Sequence, residues 1–123
     1  MNPVQTLTGL RAWIGTSAWL APNLTGRLFG LDPVSNPQAA FLARLFGIRD
    51  AALAAGTLGS DGAARAKWLQ LGVACDLADA AAAYLAGRNG TLPRHAAVMA
   101  GGTAIAAAGL GVAALSRSEP ATV

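Results

Sequence analysis

Residues 96–115 read AAVMAGGTAIAAAGLGVAAL, an unbroken run without a charged side chain. An apolar run of roughly 18 residues or more is long enough to cross the hydrocarbon core of a bilayer, which is about 30 Å thick. Arg94 and His95 flank the run at one end and Arg117 at the other. Because apolar residues cover every side of a helix formed here, a membrane span fits better than a buried helix of a soluble bundle.

Three earlier segments have a similar length but contain charged residues. They cover residues 4–21, 38–58 and 68–87, and short connections rich in turn-forming residues join them. The sequence therefore predicts an all-α protein, an integral membrane four-helix bundle in which residues 1–123 form a single transmembrane domain. Residues 116–123 follow the last span and are expected to be a flexible tail.

The connection between the first and second segments has a helical pattern of its own. Leu24, Leu28 and Leu31 recur at the spacing of one helix face, which favours a short amphipathic helix at the membrane surface. A plain loop is the alternative. Pro37 fits the first turn of the second long helix, with Asn36 as its N-cap.

The composition excludes several classes of protein. Hydrophobic residues make up 54% of the chain and charged residues only 12%, about half the share of an ordinary soluble domain. The net charge of +3 comes from sparse arginines and lysines, so a nucleic-acid-binding surface is not expected. Cys75 is the single cysteine and His95 the single histidine. We therefore expect no internal disulfide, no metal site and no cofactor.

Six charged residues fall inside the predicted spans. A charge at the centre of a bilayer costs about 2.5–3.5 kcal/mol, so six unpaired charges would cost on the order of 15 kcal/mol. These residues should therefore face the interior of the bundle and form pairs. With three arginines and three aspartates, the cluster can be neutral. Its members are Arg11, Arg44, Arg49, Asp50, Asp76 and Asp79.

Helical geometry limits how these residues can pair. Asp76 and Asp79 are separated by about 60° around a helix, so they share one face and should point to the same neighbours. Arg49 and Asp50 diverge by about 100° and cannot point to one spot. We expect Arg49 to meet one of the two aspartates of the third segment, and Asp50 to meet Arg11 or the remaining arginine.

Two interpretations of the cluster remain open. In the structural one, the charges form salt bridges that hold the helices in register. In the functional one, a neutral, desolvated carboxyl donates a proton to a lipophilic substrate. Asp76 and Asp79 are then the catalytic acid and its partner, and Asp50 is a third catalytic candidate. The charge-stabilising residues of this hypothesis are Arg11, Arg44 and Arg49.

Three aromatic residues are candidates for the lining of a pocket beside this cluster. They are Trp13, Trp19 and Tyr84. An aromatic belt at the membrane interface is the alternative role for such residues. The expected ligand is a membrane lipid or a lipophilic small molecule, and nucleic acid is not an expected partner.

Three motifs resemble those of a family of small, largely uncharacterised four-helix membrane proteins from high-GC bacteria. They are LFGLDP at 28–33, RLFGIRD at 44–50 and DLADA at 76–80, and the resemblance covers about residues 7–115. More distantly, the chain resembles DoxX-like membrane proteins, whose first-helix pattern matches the Leu-Arg pair and the glycine within residues 10–15. The resemblance implies an integral protein of the bacterial inner membrane, in association with quinone or thiol redox systems.

Three functions are compatible with these observations. The first is an acid-catalysed isomerase or cyclase that acts on an isoprenoid or an epoxide, by analogy with small membrane cyclases that have buried acids. The second is a DoxX-like accessory subunit of a redox or envelope complex. The third is a structural or transport-related protein whose charges only hold helices together. A homo-oligomer or a larger membrane complex fits each of them.

Overall fold

The computed structural model describes residues 2–118, and all the regular structure in that part of the chain is helical. It contains five helices and no strand, which confirms the predicted all-α class. The helices are α1 (Pro3–Leu20), α2 (Pro22–Leu28), α3 (Ala39–Leu58), α4 (Gly62–Asn89) and α5 (Arg94–Ser118).

The four long helices lie where the sequence places them, with two differences in length. Helix α4 has 28 residues and begins six residues before the predicted segment, because residues 63–68 contain no glycine or proline to interrupt it. Helix α5 continues through Ser118, so residues 116–118 belong to the helix and not to a tail. The rest of the predicted tail, residues 119–123, lies outside the described residues.

Local sequence signals explain where the helices begin and end. The side chain of Asn2 accepts a hydrogen bond from the backbone N–H of Gln5 at 2.8 Å, and the Gln5 side chain accepts one from the backbone N–H of Asn2, which forms a capping box. Pro22 begins α2 immediately after α1 has ended. Gly90 ends α4 with a φ of +76°, a left-handed conformation that favours glycine.

The predicted N-cap at Asn36 is wrong. Helix α3 begins at Ala39 after Gln38, without a side-chain cap. The Asn36 side chain instead donates a hydrogen bond to the backbone carbonyl of Asp32. The carboxylate of Asp32 accepts hydrogen bonds from the Ser35 hydroxyl and the Val34 N–H. These bonds hold the pKa of Asp32 below its usual value. The aspartate therefore organises a turn that ends before α3 starts.

The connection between α1 and α3 contains the predicted short helix. Of the three leucines that suggested it, Leu24 and Leu28 are 59% and 55% exposed, and Leu31 lies beyond the end of the helix and is partly buried. Thr25, in contrast, is buried. Helix α2 packs against α1 and α3 through the face that carries Thr25 and Gly26. Its leucines point away from the protein interior.

The four long helices form a ring made of two tight pairs. Helix α1 packs along α3, and α4 packs along α5; the ring is completed by the contacts of α1 with α5 and of α3 with α4. Each pair is held by small residues. In the second pair, a Cβ atom added to Gly87 would lie 2.8 Å from the Ala97 side chain, and one added to Gly101 would lie 3.5 Å from Ala83.

The closest approach within the first pair is between Gly15 of α1 and Gly47 of α3. A Cβ atom added to either glycine would lie 2.7 Å from the backbone oxygen of the other. Neither oxygen can move away without shifting its helix, so the two positions need glycine for close backbone contact.

We expect Gly15→Ala to lower the free energy of unfolding by about 1–3 kcal/mol, because the added methyl group forces the two backbones apart. Gly9→Ala is the matched control on the same helix, since no atom lies within 4 Å of the added Cβ. That control should leave the stability unchanged or raise it by about 0.5–1 kcal/mol through better helix propensity. Denaturant titrations of both variants measure the difference. Equal effects would refute the glycine contact.

Away from α2, the interior between the two pairs is closed by apolar packing. Leu7 of α1 and Leu69 of α4 are each 2% exposed and pack with Ala107 and Ala114 of α5. Leu7 and Leu69 are the largest fully buried side chains of the described residues. Many larger apolar side chains lie on the outside instead, as shown by the 64% exposure of Phe41. The protein therefore buries mostly small residues.

Within residues 2–118, two helices are long and apolar enough to cross a membrane. These are α4, over Gly62–Asn89, and the part of α5 over Arg94–Arg117. Helices α1 and α3 are not among these two; they carry Arg11, and Arg44, Arg49 and Asp50, respectively.

Candidate functional site

A cavity of about 350 Å³ lies between the two helix pairs, on the side of the bundle that contains α2. Its walls come from the second half of α1, the first half of α3 and the first half of α5. Apolar side chains form most of these walls, including Ile14, Leu42 and Phe46. Its volume lies within the usual range of sites for small organic molecules.

The end of the cavity near α2 is formed by Thr25, Gly26, Phe29 and Leu31. This segment also contacts α5, because the Nε2 atom of His95 hydrogen-bonds the carbonyl oxygen of Gly30 at 3.2 Å. The connection between α1 and α3 therefore also contacts the second helix pair, and its residues form this end of the cavity.

The opposite end of the cavity lies in the middle of the bundle and is formed by charged residues. Arg11, Asp50, Asp76 and Asp79 all line it there. They are contributed by three different helices, so the ring of helices is what brings them together. The sequence-based expectation that the charged residues of the spans face the interior is confirmed for these four.

Arg11 is the centre of this charged group. Its guanidinium group binds Asp76 with two hydrogen bonds, Nη2 to Oδ2 at 2.6 Å and Nη1 to Oδ1 at 3.2 Å. The Nη1 atom also lies 3.5 Å from Oδ1 of Asp50. The side chains of Arg11, Asp50 and Asp76 are each 5% exposed. The predicted contact between Asp50 and an arginine of the cluster is confirmed, but Asp76 is the principal partner of Arg11.

Gly72 makes room for this contact. It lies one helical turn before Asp76 on α4, and a Cβ atom added to it would lie 2.8 Å from Nη2 of Arg11. Helices α1 and α4 are not adjacent in the ring, so Arg11 has to extend across the bundle to reach Asp76. A glycine on the same face as the carboxylate lets the guanidinium group approach α4.

The second ion pair joins α3 to α4. Arg49 binds Asp79 through both guanidinium Nη atoms, with Nη1 at 3.0 Å from Oδ1 and a second bond between Nη2 and Oδ2. Arg49 also stacks over the ring of Phe46, with 4.6 Å from its Cζ atom to the ring centroid. The predicted pairing of Arg49 with an aspartate of the third segment is confirmed. However, Asp76 and Asp79 share one helix face without sharing a partner.

The predicted neutral cluster of six charges is wrong, because Arg44 does not belong to it. Arg44 is exposed, and its Nε atom donates a hydrogen bond of 3.1 Å to the backbone carbonyl of Trp19, at the last turn of α1. A cation at a helix C-terminus is stabilised by the free carbonyl groups there. The remaining group contains two guanidinium groups and three carboxylates, and therefore has one carboxylate in excess.

Asp50 is the carboxylate without a full partner. Each of the other two carboxylates forms a two-bond pair with its own arginine, whereas Asp50 has only the 3.5 Å contact with Nη1 of Arg11. Within residues 2–118, no group donates a hydrogen bond to its second oxygen, Oδ2. This carboxyl group faces the cavity at the point where the apolar walls end.

The three aromatic candidates do not line this cavity. Trp13, Trp19 and Tyr84 are 59%, 48% and 64% exposed and lie on the outer surface of the bundle. Sequence reasoning missed the aromatic rings that do line the cavity, Phe29 and Phe46.

No group of three or more His, Cys, Asp or Glu side chains that could hold a metal ion occurs in the described part of the chain. Cys75 is a free, partly buried cysteine beside Asp76 in sequence. Comparisons of the chain with protein-family models, with curated proteins and with solved structures gave no match. Its function therefore has to be argued from the cavity and the charges at its inner end.

Proposed function

We propose that the chain is an integral protein of the bacterial cell membrane in which α1, α3, α4 and α5 all cross the bilayer. The distribution of side chains supports this proposal. Large apolar residues such as Phe41 and Leu77 face outward, while Ala, Gly and the ion pairs face inward. A soluble bundle would expose an extensive apolar surface to water in this arrangement, whereas lipid is a suitable solvent for it.

The proposed activity is acid-catalysed isomerisation or cyclisation of a lipophilic substrate such as an isoprenoid epoxide. One observation carries this proposal: an apolar cavity ends at Asp50, the carboxyl group that lacks its own arginine. A single proton on Asp50 makes the charged group neutral, because the other two carboxylates are balanced by Arg11 and Arg49. A neutral carboxylic acid in an apolar site is a proton donor for a substrate that water does not reach.

The reaction needs no other reagent. Asp50 donates its proton to the epoxide oxygen while the adjacent C–O bond breaks, which leaves a hydroxyl group and a tertiary carbocation. A double bond of the same molecule then attacks the cation and closes a ring, which places the positive charge on a new carbon that loses an adjacent proton. Alternatively, the first cation loses a neighbouring proton directly. In both cases the carboxylate of Asp50 recovers one proton, so the product is an isomer of the substrate.

The two ion pairs have supporting roles in this proposal. Arg11 holds Asp50 and Asp76 at the inner end of the cavity, and Arg49 holds Asp79 there. Their carboxylates lie close to the position at which positive charge develops on the substrate, and this charge complementarity lowers the barrier. We therefore move the role of acid from Asp76 and Asp79, the first candidates, to Asp50.

The purified protein in lipid nanodiscs tests this proposal with isoprenoid epoxides such as limonene oxide. We expect an isomeric product of unchanged mass, detected by gas chromatography and mass spectrometry, whose formation requires the protein. A product that contains an added water molecule would indicate hydrolysis instead. If neither linear nor cyclic isoprenoid epoxides are converted, the catalytic proposal fails.

A further inference from the structure

We infer that the cavity is a binding site for lipophilic cations, which replace the proton of Asp50. The inference deepens the proposed function, since it rests on the same cavity and names the charge of the ligands that the cavity accepts. It concerns binding alone and holds whether or not a reaction follows.

The argument starts from the excess of one carboxylate. The charged groups that act on Asp50 are Arg11, Arg49, Asp76 and Asp79, which come from α1, α3 and α4. The lining residues from α2 and α5 bring hydroxyl groups, at Thr25 and Thr103, but no charge. The excess negative charge at the inner end of the cavity is therefore not balanced from any of the five helices.

A charge of this kind in a desolvated site needs a counter-charge. A proton on the carboxyl group can provide it. An organic cation can provide it as well, because Asp50 has an unpaired oxygen and its carboxyl group faces the cavity. The exposed fraction of its side chain is only 5%, so the carboxylate is largely withdrawn from bulk water.

The walls of the cavity restrict which cations bind. Phe29 and Phe46 line the cavity, and aromatic rings attract organic cations. The arginine that stacks on Phe46 is held outside the cavity by Asp79. A small inorganic cation would lose its hydration shell in such a site without gaining a cage of oxygen ligands. The geometry therefore favours a compact ammonium group that carries apolar substituents.

Benzyltrimethylammonium and neopentylbenzene form a matched pair of probes, because they have the same shape and differ in the replacement of the charged nitrogen by carbon. We expect calorimetric titration of the protein in nanodiscs to show tighter binding of the cation by about tenfold or more. Roughly one proton should be released into a weakly buffered solution for each cation bound. Empty nanodiscs give the background of partitioning into lipid.

The Asp50→Asn variant identifies the residue responsible. It keeps an oxygen for the contact with Arg11 and removes the negative charge, so we expect it to bind the two probes equally and release no proton. Equal binding of the two probes by the unmodified protein, or binding of neither, overturns the inference. A preference for the cation that persists in Asp50→Asn overturns the assignment to Asp50. Proton release by the unmodified protein tests the exchange even if the variant does not fold.

This experiment separates the inference from the proposed catalysis. Cation binding with proton release but no conversion of epoxides leaves the binding site standing and refutes only the enzyme. Conversion of epoxides without a preference for the cation refutes the cation site and leaves the proposed enzyme standing.

Discussion

Arg11→Met is expected to destabilise the protein more than the loss of any other arginine. The variant leaves the carboxyl groups of Asp50 and Asp76 buried without their cation, since each contacts only Arg11 among the arginines of the described residues. Removing one partner of a buried, hydrogen-bonded ion pair typically costs about 3–5 kcal/mol. Unfolding by sodium dodecyl sulfate in mixed micelles, followed by circular dichroism, measures the loss.

Two further variants show whether the loss comes from uncompensated charge. Arg44→Met removes an exposed arginine whose hydrogen bond is with a helix C-terminus, and should cost only about 0.3–1 kcal/mol. Adding Asp50→Asn and Asp76→Asn to Arg11→Met removes both carboxyl groups that have lost their partner and should restore most of the stability, because neutral replacements of buried ion pairs are often tolerated. If Arg11→Met unfolds no more readily than Arg44→Met, the buried ion pair is refuted.

Asp50→Asn is expected to have the largest effect on turnover. General acid catalysis contributes roughly 10²- to 10⁴-fold to a rate, and an amide cannot supply the proton. We therefore expect kcat for the isoprenoid epoxide to fall by about that factor. The fold should persist, because the remaining group contains two arginines and two carboxylates and the asparagine retains an oxygen near Nη1 of Arg11.

Asp61→Asn is the matched control for this substitution. Asp61 is exposed just before α4, forms no side-chain hydrogen bond with the helix it precedes, and does not line the cavity. Its replacement should leave kcat unchanged. An Asp50→Asn protein that keeps the kcat of the Asp61→Asn protein would show that Asp50 is not the acid.

The structural and functional interpretations of the buried charges apply to different residues. The pairs Arg11–Asp76 and Arg49–Asp79 join helices that have few or no close backbone contacts with each other, so salt bridges that connect helices describe them well. Asp50 belongs to neither of these two pairs and has only its 3.5 Å contact with Arg11. The proposed chemistry therefore rests on one residue within a group that is otherwise structural.

The sequence was sufficient to locate the helices and part of the pairing. Uncharged runs, prolines and Gly90 indicated the positions of the helices within a few residues, and helical angles separated Arg49 from Asp50. That Arg49 pairs with one of the two aspartates of α4 followed from that separation, but the choice of Asp79 over Asp76 did not. These predictions depend on distances along a single helix, which the sequence determines directly.

The rotation of each helix about its axis was not predictable in the same way. Apolar residues occur on all sides of α3 and α4, so hydrophobic periodicity did not show that Ala83 faces inward and Leu77 outward. The same ambiguity led to the placement of Trp13 in the cavity and of Arg44 in the charged group. Which side of each helix faces the interior depends on packing between helices, where small residues allow close approach.

One signal in the sequence could have identified the partner of Asp76. Gly72 precedes Asp76 by one helical turn, and so both lie on the same face of α4. A glycine there leaves space for a long side chain from another helix to reach the carboxylate. Of the arginines in the spans, Arg11 is the one that uses this space.

Labelling with a hydrophobic carbodiimide tests the central claim most directly, because dicyclohexylcarbodiimide reacts with a protonated carboxyl group that is accessible from an apolar phase. In membranes isolated from cells that express the protein, we expect mass spectrometry to find its stable N-acylurea on Asp50, with Asp76 and Asp79 unmodified. The water-soluble carbodiimide EDC should not modify Asp50, and benzyltrimethylammonium should protect it. Labelling of Asp76 or Asp79 in place of Asp50, or modification of Asp50 by the water-soluble reagent alone, would contradict a protonated Asp50 at the end of a membrane-embedded cavity.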